Sequence, residues 1–227
     1  MKVCAAFALA AALAGGAQGS EAIRIAETYT LDAARLPSVP SATHALRLYL
    51  YTFQGTRWRA ADAMQAAAQA ALLLAQCGVT LESVELRVLE APRRFHFYFT
   101  PVSRELLRSL DVTRPAIFFV EDTRNNPAFD AEAIGRGNAR ARPELENTIW
   151  IAHGARDLAL ALAHELLHVL SDSGEHSTEP GNLMRAETSA DNVKLTAAQC
   201  ERIRSRGVES GLLQRLGRMH SEARQAA

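Results

Sequence analysis

Leu158-Ala159-Leu160-Ala161-Leu162-Ala163-His164-Glu165-Leu166-Leu167-His168-Val169-Leu170 decides how the rest of the chain is read. The run holds no glycine or proline and is built mostly of alanine and leucine, strong helix formers, so it predicts a buried helix over 155–170. Asp157 near its start suits the positive end of the helix dipole, and Ser171-Asp172-Ser173-Gly174 breaks it. From Leu158 to Leu170 the only ionisable side chains are His164, Glu165 and His168. On a helix, positions i and i+4 lie about 40° apart in azimuth and one turn apart along the axis, so both imidazoles face one point. Burying three such groups among leucines is costly unless they are paired or bound to a metal. Two neutral imidazole nitrogens at this separation can ligate one Zn2+, with Glu165 beside them.

Outward from that helix, 227 residues suit one compact domain, at most divided into two lobes around a cleft. A hydrophobic content of 48% against 22% charged residues is that of a globular protein and excludes wholesale disorder. The 25 basic and 25 acidic side chains cancel, which leaves no electrostatic case for nucleic acid or an acidic membrane surface as partner. Only Lys2 and Lys194 are lysines, a compositional bias toward arginine to which no mechanism attaches.

The N-terminus reads as a secretory signal over 1–19. Lys2 supplies a positive start, 3–14 is an uncharged apolar run, and Ala17-Gln18-Gly19 supplies small residues for cleavage near Ser20. The run is too short to span a bilayer, and no other segment approaches that length. The expected product is secreted or periplasmic, without a membrane span, and monomeric. Cys4 leaves with the signal, so Cys77 and Cys200 remain as an even pair in an oxidising compartment and are expected to form a disulfide.

Residues 20–44 carry Pro37 and Pro40 without long periodicity and read as an irregular N-terminal extension, before a domain over 45–227. Within it, 46–51 alternates as a strand does, and the alanine-rich 56–76 predicts a long helix ended by Gly78. Strands are expected at 84–89, 115–120 and 147–152, with 95–99 as the hairpin partner of the first of these. Ser103 is expected to cap a short helix through Leu110, and 131–134 to form a short edge strand in a polar loop. Thr196 is expected to cap a last helical region, interrupted at Gly207 and resumed over 211–224.

With His164-Glu165-Leu166-Leu167-His168 followed by Gly181-Asn182-Leu183-Met184, the sequence resembles the zincin metallopeptidases, and among them the metzincins. That resemblance spans roughly 45–206, with specific matches in about 45 residues. It implies an α+β fold: a mixed sheet packed with a long helix and an active-site helix, and a small C-terminal lobe ending in helix. It also implies one catalytic Zn2+ on His164, His168 and a third ligand, with Met184 in a Met-turn beneath. The family's glycine and third histidine fall at Ser171 and Gly174 here, so the ligand is expected at His176, two positions further on. A competing resemblance, to the gluzincins, offers Glu187 within Glu187-Thr188-Ser189-Ala190-Asp191; Asp172 and Glu175 are further candidates. The tyrosine that some metzincins supply after the Met-turn is missing, since all four tyrosines precede residue 99.

The function so implied is hydrolysis of peptide bonds in a peptide or protein substrate. A zinc-activated water would attack, Glu165 would act as general base and then acid, and the substrate would add as a strand to an edge between Ile117 and Ile134. The alternative is a zinc-stabilised binding module on the same scaffold without peptidase activity. Of the other histidines, His96 reads as a strand residue on a polar face and His153 as a structural residue ending the strand before the active-site helix. His44 and His220 read as loop and tail.

Overall fold

The structure, a computed structural model, describes residues 22–123, 135–138, 143–154, 157–187 and 189–217. The elements run β1 (Arg24–Asp32), β2 (His44–Phe53), α1 (Ala60–Leu74), β3 (Val79–Glu90), β4 (Phe97–Tyr98), α2 (Thr100–Ser109), β5 (Ala116–Val120), β6 (Asp122–Thr123), β7 (Gly135–Asn138), β8 (Thr148–Ala152), α3 (Leu158–Ser171), α4 (Ala197–Glu209) and β9 (Leu213–Arg215). The fold is mixed α+β. Its main sheet has the order β1-β3-β2-β5-β8-β7, with β9 pairing β2 off that path. Neighbours β3, β2, β5 and β8 run parallel, whereas β1 and β7 close the two edges antiparallel.

Alternation along the central strands sorts side chains into two cores. Leu46, Leu48 and Leu50 of β2, Ile117 and Phe119 of β5, and Ile149 and Ile151 of β8 share one cluster with α1, α3 and α4. The intervening Tyr51, Phe53, Phe118, Val120 and Trp150 share the other with Leu106 and Leu107 of α2. There the Phe118 ring stacks between Tyr51 and Trp150, with centroids 4.7 and 4.3 Å away. The alanine-rich face of α1 (Ala63, Ala66, Ala67, Ala70, Ala71) is buried and lets α3 approach closely. A short 3-10 turn follows α1 and ends at Gly78, whose φ of +67° is open to glycine at little cost.

The strands expected at 46–51, 84–89, 115–120 and 147–152 are present, the long helix appears as α1 (Ala60–Leu74) and the active-site helix as α3 (Leu158–Ser171). Asp157 caps α3 by accepting from the Leu160 N–H at 3.0 Å. Thr196 caps α4 in a reciprocal capping box with Gln199. Cys77 and Cys200 form a disulfide that ties the end of α1 to α4. Among the described residues, no helix is long and apolar enough to cross a membrane.

Several expectations are corrected. Residues 24–32 are not irregular: they form β1, held by antiparallel pairing to β3. Nearly the whole strand is exposed, so it carries no buried alternation to betray it. Residues 95–99 do not form a hairpin with the preceding strand. Arg93–His96 is a 3-10 turn, and β4 pairs in parallel with β6. The helix expected from Ser103 begins at Thr100, because Pro101 fits its first turn. Helix α4 is not interrupted at Gly207 but runs through it, and the chain then forms β9 instead of resuming a helix within the described residues. Ile117 lies inside the sheet between β2 and β8, so no edge begins there. The signal over 1–19, the strand at 131–134 and His220 lie outside the described residues.

Candidate metal centre

Three histidines converge where α3 meets the loop that follows it. His164 and His168 come from successive turns of α3 and His176 from the loop, and one ligand nitrogen of each lies within 4.8 Å of the others. The rings sit with centroids 4.7 Å (His164–His168), 5.3 Å (His164–His176) and 4.9 Å (His168–His176) apart. His164 is buried, His168 half-buried and His176 exposed, so the cluster opens to solvent on the loop side.

Hydrogen bonding settles which nitrogen of the two helical histidines is available. His164 Nδ1 lies 2.8 Å from the Leu183 carbonyl, and His168 Nδ1 lies 2.7 Å from the Ser173 carbonyl. A carbonyl only accepts, so each Nδ1 carries the proton and each neutral ring keeps a lone pair on Nε2. Those two Nε2 atoms face each other at 3.0 Å. Two lone pairs at that distance repel unless a cation lies between or beside them. Burial pushes the pKa of both rings down: His168 falls to about 4, also through its neighbour His164, and His164 falls although the Leu183 carbonyl partly opposes the shift. Both are therefore neutral near pH 7, the form that ligates a metal. Three imidazole nitrogens with an open side are a donor set that fits zinc.

The loop is shaped by the break that ends α3. Asp172 takes φ +50°, a left-handed conformation that short polar side chains tolerate. Ser173 N then donates to the His168 carbonyl, while its own carbonyl turns back onto His168 Nδ1. Further on, Ser177 N donates to the Met184 carbonyl at 2.7 Å, fastening the loop to the turn over 181–184. Met184 is buried, with its N–H held by Asn182 Oδ1 at 2.9 Å, and it lines a cavity shared with Leu167, His176 and Gln199.

Glu165 sits partly buried on α3 beside His164. Glu187 is exposed on a bend outside the three-histidine group. Asp172 serves as the helix C-cap, and Glu175 is exposed in an ion pair with Arg202 on α4. Among the described residues, His44 and His96 lie elsewhere than expected, and His153 makes a structural contact. His44 opens β2 and is buried, and His96 is buried with Nε2 3.2 Å from the Ala91 carbonyl. His153 stacks on Trp58 with centroids 4.1 Å apart.

Sequence reasoning missed the backbone carbonyls of Ser173 and Leu183, which no residue type signals. It also missed Asn182 and Gln199, although Thr196-Ala197-Ala198-Gln199 has the spacing of a capping box.

Neither a family model nor a curated protein matches the sequence. Among solved structures, the crystal structure of metalloproteinase-II from Bacteroides fragilis is similar, at a TM-score of 0.49 and 18% identity over 75% of this chain. The match spans 55% of that protein. The chain thus has a metalloproteinase among its structural neighbours and three histidines that could hold a metal ion.

Proposed function

We propose that this protein is an exported, zinc-dependent peptidase of metzincin type. The observation that carries the reading is the pair of Nε2 lone pairs facing each other at 3.0 Å, with His176 closing the group and Glu165 next to it in sequence. His164, His168 and His176 would hold the ion. When bound, zinc polarises a substrate carbonyl and lowers the pKa of water toward about 7. The chain's own part begins with Glu165, which takes a proton from the attacking water and delivers it to the leaving amine. Leu183 and Ser173 fix the ring orientations, and Met184 supports the site from below. Strand β7 lies at the sheet edge against α3, and an extended substrate would add to it by main-chain pairing.

Glu165→Gln tests this. The variant keeps one equivalent of zinc and loses peptide cleavage by at least about 100-fold, the scale of general acid–base catalysis. A fully active Glu165→Gln protein overturns the assignment. The second reading, a zinc-stabilised binding module, is favoured by the absence of any tyrosine beyond residue 98. Stoichiometric zinc with no chelator-sensitive cleavage across a peptide panel would support it. Export is tested by the N-terminal residue of the protein recovered from the periplasm or medium, expected near Ser20.

A further inference from the structure

His164 owes its orientation to one acceptor, the Leu183 carbonyl, and that carbonyl sits in a turn with its own scaffold. Asn182 and Gln199 face each other amide to amide. Asn182 Nδ2 donates to Gln199 Oε1 at 3.0 Å, and Gln199 Nε2 donates to Asn182 Oδ1 at 3.1 Å. Each oxygen takes a second bond from the backbone. Asn182 Oδ1 accepts from Met184 N at 2.9 Å, and Gln199 Oε1 accepts from Thr196 N at 2.8 Å. Because both oxygens are claimed by main-chain donors, neither amide can flip without losing a bond. The neighbouring Leu183 N donates to the Lys194 carbonyl, and Lys194 N to that of Gly181, so both sides of the turn are pinned.

We propose that Asn182 and Gln199 are positioning residues for the metal centre. Their amide pair locks the turn over 181–184 to the first turn of α4. It thereby aims the Leu183 carbonyl at His164 Nδ1 and keeps Nε2 pointed at the other two ligands. This inference rests on the three-histidine metal reading above. The orienting bond to a ligand histidine is the kind of contact whose loss costs roughly 10–100-fold in metal affinity.

Gln199→Glu is the discriminating variant. Its carboxylate keeps the acceptor for Thr196 N, so the capping box survives, and it still accepts from Asn182 Nδ2. It lacks the donor to Asn182 Oδ1 and sets oxygen against oxygen there, which twists Asn182 and drags the Leu183 carbonyl. Thr196→Ala serves as the control: it loosens the same helix end by removing the bond from Gln199 N to Thr196 Oγ1, but it leaves the amide pair in place. Two quantities are measured on each protein: the zinc dissociation constant, by competition with a chromogenic chelator, and the His164 Nδ1–H proton resonance, with and without zinc.

Gln199→Glu should bind zinc at least about tenfold more weakly and lose the slowly exchanging Nδ1–H resonance, while Thr196→Ala stays within twofold of the parent and keeps it. Unchanged zinc affinity and resonance in Gln199→Glu would overturn the inference, as would an equal loss in Thr196→Ala. If the parent protein itself binds no zinc, the metal reading fails. The zinc-free resonance then still decides whether the amide pair orients His164.

Discussion

Breaking the Cys77–Cys200 bridge is the perturbation whose size can be worked most directly from the structure. The two cysteines are 123 residues apart in sequence, so the bridge removes a long loop from the freedom of the unfolded chain. In the chain-entropy description a closure of that length stabilises the fold by about 5 kcal/mol at 25 °C. The whole stability of a domain is typically about 5–15 kcal/mol, so the bridge supplies a large part of it. Both cysteines are buried against α1 and α4 in the main core. Replacement by alanine therefore adds a smaller cost from lost packing. The assay is urea unfolding of Cys77→Ala, Cys200→Ala and the double variant, followed by circular dichroism and extrapolated to zero denaturant. All three should lose about 5 kcal/mol or slightly more, because either single change abolishes the crosslink. The m-value should rise as the unfolded chain expands. A loss below about 1 kcal/mol, or single variants much milder than the double, would refute the entropic account.

Two further predictions concern pH and packing. In the metal-free protein, His44, His96, His153, His164 and His168 all have pKa values lowered by burial, His168 to about 4. The unfolded chain thus binds more protons once pH drops below about 6.5. Stability is complete above that pH and falls as pH descends toward 4, and the urea midpoint measured in chelator from pH 7.5 to 4 should fall with it. A midpoint that rises on acidification contradicts the burial. Gly207→Ala should destabilise by about 1–2 kcal/mol despite the better helix propensity of alanine. A Cβ there would lie 2.6 Å from Leu213 Cδ1 and 2.7 Å from Cγ, so the buried Leu213 side chain must give way. Leu213→Ala in the same chain should remove the penalty in thermal unfolding, and an unchanged penalty in the double variant would disprove the clash.

What was legible in the sequence was what short-range physics dictates. The i, i+4 histidines declare themselves because a helix period is local, and Asp157 and Thr196 announce caps because capping needs only the next three residues. Strand β1 was illegible for the opposite reason. It is held by main-chain pairing to a distant strand and buries almost nothing, so its side chains keep no pattern. Gly207 misled because glycine usually ends a helix, whereas here its missing side chain makes room for Leu213. Around the metal centre, the spacing of His164 and His168 carried the reading. The sequence favours His176 over Glu187, Asp172 and Glu175 without deciding among them, because loop length does not fix loop direction. The bonds that turn the loop, from Ser173 N to the His168 carbonyl and from Ser177 N to the Met184 carbonyl, depend on backbone groups common to every residue type.

Strand β9 has a consequence for the order in which the molecule can assemble. Arg215 pairs with His44, Gln214 with Ala45 and Leu213 with Leu46, and Leu216 N donates to the Thr43 carbonyl. The start of β2 therefore has one flank that stays unpaired until about 170 later residues have been made. Pairings that distant are slow to find, because the intervening chain must be brought together before any bond rewards it. A nascent chain carries its α3 histidines long before that last strand arrives. Until β9 is made, the sheet stays open along that flank, and the pairing of β2 is completed only once β9 has docked.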